Sequence, residues 1–277
     1  MKQSTAATRN LLYNLVRRDL TVRYKSTVLG FFWSFVKPLI LTLIFYVAFQ
    51  KILKISFYEE GIPPALHMLT GILAWTFFAG ATSESMNVIF ANANLIKKVR
   101  LPLGVFPLAA VCSHLIHFLL ALLVLLVLLI FFVGAPTPAF LCVPLIMALQ
   151  FLLVLAVSLA LAALNVFYRD VASLWEVLMT AWFYATPVVY PVGMVMKRLE
   201  EGNLFWLKWL YLLNPMTPIV LAYQQVLLYA PLDKPISGLD PGDMWISLGA
   251  CVGLTLVLLT LAWKLFARFS KSFADEL

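Results

Sequence analysis

Six apolar runs decide what this chain can fold into. They lie at about 31–52, 65–91, 105–133, 139–166, 171–191 and 245–267. Each is close to the roughly 20 residues a helix needs to cross the hydrocarbon core of a bilayer. β-Branched and aromatic residues are mixed with leucine throughout, without the short alternating segments of a membrane barrel. Only 12% of the chain is charged, about half the share usual in soluble domains. The expectation is an all-α integral membrane protein of six transmembrane helices, forming one domain over residues 1–277. Cys112, Cys142 and Cys251 all fall in apolar runs, so neither a disulfide framework nor a Cys/His metal site is expected. The basic N-terminal region leads into a run interrupted by Lys37 and Pro38. No small-residue cleavage site follows it, so Met1 is expected to be retained.

An even number of spans puts both termini on one side, and charge chooses the side. With Met1 inside, 14 of the 20 Lys and Arg residues fall on cytoplasmic segments or the adjoining helix ends. Lys51, Lys54, Lys197, Arg198, Lys208 and Lys234 remain outside, beside the acids Glu59, Glu60, Glu200, Glu201, Asp233, Asp240 and Asp243. The positive-inside rule then places both termini in the cytoplasm. The net charge of +7 follows from topology, and no nucleic-acid partner is implied.

Before the first run, residues 8–26 read as an amphipathic helix lying at the membrane interface. At about 100° per residue, Asn10, Asn14, Arg17, Arg18, Thr21 and Lys25 gather on one arc, with Leu, Val and Tyr over most of the rest. Asp19 and Arg23 interrupt the apolar side at i,i+4 spacing, where they can pair. As a topology anchor this helix only fixes orientation; as a docking element its Asp19/Arg23 side meets a protein partner or a charged headgroup.

Four stretches carry a family resemblance. RDLTVRYKSTVLGFFWSFVKPL (Arg18–Leu39) resembles the start of the type-2 ABC transporter permeases that export O-antigen, capsule and teichoic-acid polysaccharides. NANLIKKVRLPLGVFPL (Asn92–Leu108), LNVFYRDV (Leu164–Val171), and ATPVVYPV with LNPMTPIVLAYQQVLL (Ala185–Val192, Leu213–Leu228) resemble later parts of the same permeases, in the same order. One departure is visible: many members carry an arginine where this chain has Gln224 or Gln225.

The resemblance implies a membrane subunit of an ATP-driven exporter in the bacterial inner membrane. Its cargo would be a lipid-linked polysaccharide, above all O-antigen on a polyprenyl pyrophosphate. None of the 12 glycines is followed by lysine, so the chain lacks the G-x-x-x-x-G-K-[ST] loop that cradles ATP phosphates. ATP and Mg²⁺ are therefore expected on a separate ATPase subunit, with no cofactor on this chain. Six spans are few to enclose a polymer path, and a two-fold dimer is expected, with two ATPase subunits. The resemblance makes 92–103 a coupling segment, in which Leu95, Ile96 and Val99 are apolar contacts ringed by Lys97, Lys98 and Arg100, and gives Asp19 and Arg23 of the interface helix as the second contact.

Sugar rings have flat apolar C–H faces that aromatic side chains can stack on, so an aromatic lining suits a polymer conduit. Phe31, Phe35, Phe45 and Phe49 fall near one stripe of the first run. Trp175 and Trp182 are at i,i+7 in the fifth, with Tyr184 and Tyr190 beyond them. The resemblance places these two runs around the path. The same residue types also form lipid-facing aromatic belts. A lipid pyrophosphate needs cations at the inner mouth, and Arg23, Lys25, Lys37 and Arg169 are available there; phosphate snorkelling would use them equally.

Residues 192–230 hold two apolar pieces of 10–14 residues broken at Asn214–Pro215. Pieces that short suit a re-entrant hairpin rather than spans, and the resemblance makes it an outer gate. Glu84 and His114 each lie about eight residues from the inner ends of adjacent antiparallel spans. At about 1.5 Å per residue their depths match, predicting a contact that locks the two helices. Glu176 faces an inner vestibule or pairs with Arg169. Among other classes, a polyprenyl-sugar membrane enzyme would cluster acids, histidines or arginines at one interface, and a secondary transporter would show internal repeats; neither pattern is present. An ATP-driven exporter of a drug or smaller lipid is separated from the polysaccharide reading by the motifs alone.

Overall fold

The computed structural model describes residues 2–24, 32–52, 62–98, 102–135, 137–204, 206–236 and 238–276. Side chains of 2–7, 23, 24, 34, 35, 50, 274 and 275 are outside that description. Twelve α-helices follow in order among these residues: α1 Lys2–Tyr24, α2 Trp33–Tyr46, α3 Pro64–Ala91, α4 Ala93–Lys98, α5 Val105–Phe132 and α6 Val143–Phe167, then α7 Val171–Tyr184, α8 Val192–Glu201, α9 Leu207–Leu213, α10 Met216–Gln224, α11 Pro241–Phe269 and α12 Phe273–Glu276. No strand occurs among the described residues.

Four helices are long and apolar enough to cross a membrane: α3, α5, α6 with its leading 3₁₀ turn from Pro138, and α11 with its trailing turn to Ser272. The other two expected spans are shorter. In α2 and its π-helical continuation (Val47–Ile52), the apolar part runs Val36–Phe49. Helix α7 stops at Tyr184 rather than Pro191. Pro187 accounts for that end, because it has no N–H to donate and pushes the residue before it out of the helical region. Fourteen residues make α7 about 21 Å long.

Helix α3 is the central pillar, most of its apolar length being buried. Its hydroxyls are satisfied within the helix: Thr70, Thr82 and Ser85 donate to the carbonyls of Leu66, Phe78 and Ala81. Two amides of α6 clamp its backbone. Gln150 donates to the Ala74 carbonyl at 2.7 Å, and Asn165 to that of Met86 at 2.9 Å. Both numbers rise together, so α3 and α6 run parallel. The pairs Phe77–Phe118 and Glu84–His114 run in opposite order, so α5 is antiparallel to α3. Trp75 meets Phe183 and Phe78 meets Trp182, which makes α7 antiparallel to α3 as well.

One end of the bundle has its own apolar core. Leu15 of α1, Ile89 of α3, Ile96 of α4, Phe106 of α5, Val166 of α6, Phe266 of α11 and Phe273 of α12 are buried together there. Elements from near both ends of the chain therefore share one end of the bundle. Helix α1 contributes the stripe Leu11, Leu12, Leu15 and Val16, whereas Tyr13 and Val22 face outward.

Candidate functional site

The site is a groove of about 650 Å³ between α2, α3 and α7. Phe45 and Leu41 of α2 form one wall, Trp75, Ser83 and Asn87 of α3 the floor, and Trp175, Glu176, Thr180, Phe183 and Tyr184 of α7 the other wall. From Ala172 to Tyr184 it follows α7 for about 18 Å. Its aromatic edge is continuous. The Phe45 ring stacks on Phe49 at 6.1 Å and on Phe183 at 5.8 Å, and Phe183 meets the edge of Trp75 at 5.6 Å. Ser83, Asn87, Glu176 and Thr180 supply a polar stripe along the same cavity.

Of the aromatics expected to line a path, Phe45, Trp175 and Tyr184 do border this groove. Phe49 extends it through its stack on Phe45. Trp182 does not border it: its ring packs on Phe78, and its indole N–H donates to Asn214 Oδ1 at 2.6 Å. Tyr190 lies off the groove lining and ties the outer turn, donating from its hydroxyl to the Tyr184 carbonyl at 2.7 Å. Phe31 and the Phe35 side chain lie outside the described residues. Trp75 and Phe183 were not anticipated. Their signal is arithmetic of the same kind as that for Glu84 and His114, namely aromatics at matching depths on antiparallel helices.

The inner cations divide. Lys37 is exposed one turn before Leu41, and Arg169 is exposed just before α7, so both flank one end of the groove. Lys25 and the Arg23 side chain are outside the described residues. No ion pair joins Arg169 to Glu176 among the described residues, which leaves Glu176 as a groove carboxylate.

The residues expected to couple lie in different surroundings. Ile96 is buried in the end core and Leu95 packs against it, with the short helix α4 in contact with α12. The exposed residues of α4 are Asn94, Lys97 and Lys98. Val99 and Arg100 lie outside the described residues. Asp19 is half-buried, one turn past Leu15 on α1. Arg18 does the linking: it donates to Asn92 Oδ1 at 2.8 Å, joining α1 to the junction of α3 and α4.

Glu84 and His114 meet at 2.8 Å, with the histidine ring sealed against Gly80. A β-carbon at Gly80 would lie 2.6 Å from that ring, so the placement of the His114 ring depends on this glycine.

At the opposite end, α9 and α10 form a V. Lys208 of α9 pairs with Asp243 near the start of α11, and the Pro215 carbonyl at the tip accepts from Cys251 Sγ. From Asp243 to Cys251 is eight residues of α11, so the V reaches about 12 Å down the bundle. All nine residues of α10 are buried as it returns. Gln224 at its end lies against His67 Nδ1 (3.5 Å) and the Pro187 carbonyl (3.4 Å). Gln225 instead holds the following loop, through the Lys234 carbonyl and the Ile236 N–H.

Three comparisons with curated proteins agree. The chain is 29% identical to the O-antigen export system permease protein RfbA of Myxococcus xanthus, covering 97% of this chain and 96% of that one. It is 28% and 29% identical to two proteins of the same name from Klebsiella pneumoniae, each aligned over 98% or more of both chains. The family described as "ABC-2 type transporter" matches residues 10–228. With that family spanning most of its length, the chain belongs to the ABC-2 type transporters.

Proposed function

We propose that this chain is the membrane-spanning permease subunit of an ATP-driven exporter that moves lipid-linked O-antigen across the bacterial inner membrane. The observation that carries the reading is the groove between α2, α3 and α7, apolar and aromatic on its walls with one polar stripe. Such a lining stacks on sugar rings and exchanges hydrogen bonds with hydroxyls without fixing one linkage. The permease names of the relatives support it further.

In this reading the chain crosses the membrane six times, with α2 and α7 as the shorter crossings and both termini in the cytoplasm. The parallel run of α3 and α6 and the antiparallel α5 and α7 agree with alternate crossings. The V of α9 and α10 is a re-entrant outer gate. Two copies assemble around the path: Leu43 and Ile44 of α2 and Val177 and Leu178 of α7 flank the groove, apolar and exposed. Two ATPase subunits, which bind ATP and Mg²⁺, dock at the end formed by α1, α4 and α12. The chain itself is a transport subunit, with no catalytic role.

Disrupting the protein in its own cell tests the proposal. The expected result is loss of surface glycan with build-up of lipid-linked glycan inside. An unchanged surface and no internal build-up would point instead to export of a smaller lipid or drug.

A further inference from the structure

Charge is distributed unevenly along the groove. Lys37 and Arg169 are exposed at its inner end, but beyond them the lining holds, among the described residues, one ionisable carboxylate, Glu176, and no cation. Its remaining polar members, Ser83, Asn87 and Thr180, are uncharged. Glu176 has no basic partner among the described residues. Glu176 is exposed on the groove wall, where its charge repels any other anion brought within a few ångströms of it. The same carboxylate accepts hydrogen bonds only, and neighbouring sugar hydroxyls are donors of the right kind.

We infer that the groove selects glycans with uncharged repeat units, and that Glu176 is the residue that sets this selectivity. The inference rests on the reading of the groove as the glycan path. A pyrophosphate head passes Glu176 once, with Lys37 and Arg169 at the inner end to receive it. An acidic repeat would bring a new anion to Glu176 at every step. A second copy of the chain would add a second Glu176 to the same passage.

The test uses inside-out membrane vesicles holding the full chain with its ATPase subunits. Two polyprenyl-linked probes are compared: an uncharged polymer, and the same polymer after its primary hydroxyls have been oxidised to carboxylates. ATP-dependent uptake of the uncharged probe is expected to exceed that of the oxidised one by about tenfold or more. Glu176→Gln keeps the shape and removes the charge, and should shrink the ratio to about one to three. Glu176→Lys should reverse it. Equal uptake of both probes by the unaltered chain, or a ratio unmoved in Glu176→Gln, would overturn the inference while leaving glycan export standing. Failure of the unaltered chain to take up either probe would instead remove the export reading, and the selectivity with it.

Discussion

Trp182 and Asn214 join the end of α7 to the tip of the α9–α10 V through an indole N–H donated at 2.6 Å. Asn214 is fully used. Its Oδ1 also accepts from the Met216 N–H, and its Nδ2 donates to the Ala185 carbonyl and Thr186 Oγ1. Any movement of the V is thereby tied to the C-terminal end of the groove helix α7.

Replacing Asn214 by Ala removes a shared partner from these part-buried groups, at a total cost of about 1–3 kcal/mol. The expected outcome is a lower thermal unfolding midpoint in detergent, with surface glycan reduced. Trp182→Phe removes one donor and keeps the ring on Phe78, so it should cost less than Asn214→Ala. Equal midpoints for all three proteins would contradict the assigned role of Asn214.

The Glu84–His114 contact predicts coupling between two helices. In a double-mutant cycle with Glu84→Ala and His114→Ala, the interaction energy measured by unfolding is expected at about 0.5–3 kcal/mol. An additive cycle would mean the two side chains stabilise α3 and α5 separately.

This pair shows what was legible in the sequence. Depth along antiparallel helices follows from counting residues, so Glu84 and His114 could be matched before any coordinates. The same count identifies the Asn214–Pro215 break. Burial direction within α4 was not legible, because a six-residue helix is too short for its apolar face to stand out. That Ile96 joins the end core comes only from the structure. The stop of α7 at Tyr184 was written in Pro187, but hydrophobicity alone carried the run through it. The groove itself required three helices to be brought side by side, which no local pattern specifies.

Gly71 makes a sharper test of packing. A β-carbon there would lie 2.4 Å from the Val188 carbonyl oxygen, a backbone atom that cannot swing aside. Gly71→Ala is therefore expected to destabilise the protein by about 1–3 kcal/mol through overpacking. Unfolding in detergent measures it, and an unchanged midpoint would mean the outer turn shifts freely against α3.

Lys97 and Lys98 are the exposed charges of α4. If this face meets the ATPase subunits, reversing both to Glu should weaken co-purification of those subunits about tenfold, most strongly at low salt. Arg18→Met should act differently. It breaks the link to Asn92 and is expected to reduce transport per ATP hydrolysed while the subunits still co-purify. If co-purification were unaffected by the double reversal, the docking face would have to lie elsewhere.

The central claim is that glycan travels through the groove between α2, α3 and α7. Tyr184 lines that groove and is 59% exposed, whereas Leu123 on α5 is equally exposed at 59% and lies outside the groove lining. A photo-activatable benzoylphenylalanine placed at either position, in cells whose exporter is stalled by a hydrolysis-deficient ATPase subunit, measures the path directly. Capture of lipid-linked glycan from position 184 and not from 123 is the result this account predicts. Equal capture from both positions, or capture from 123 alone, would contradict it.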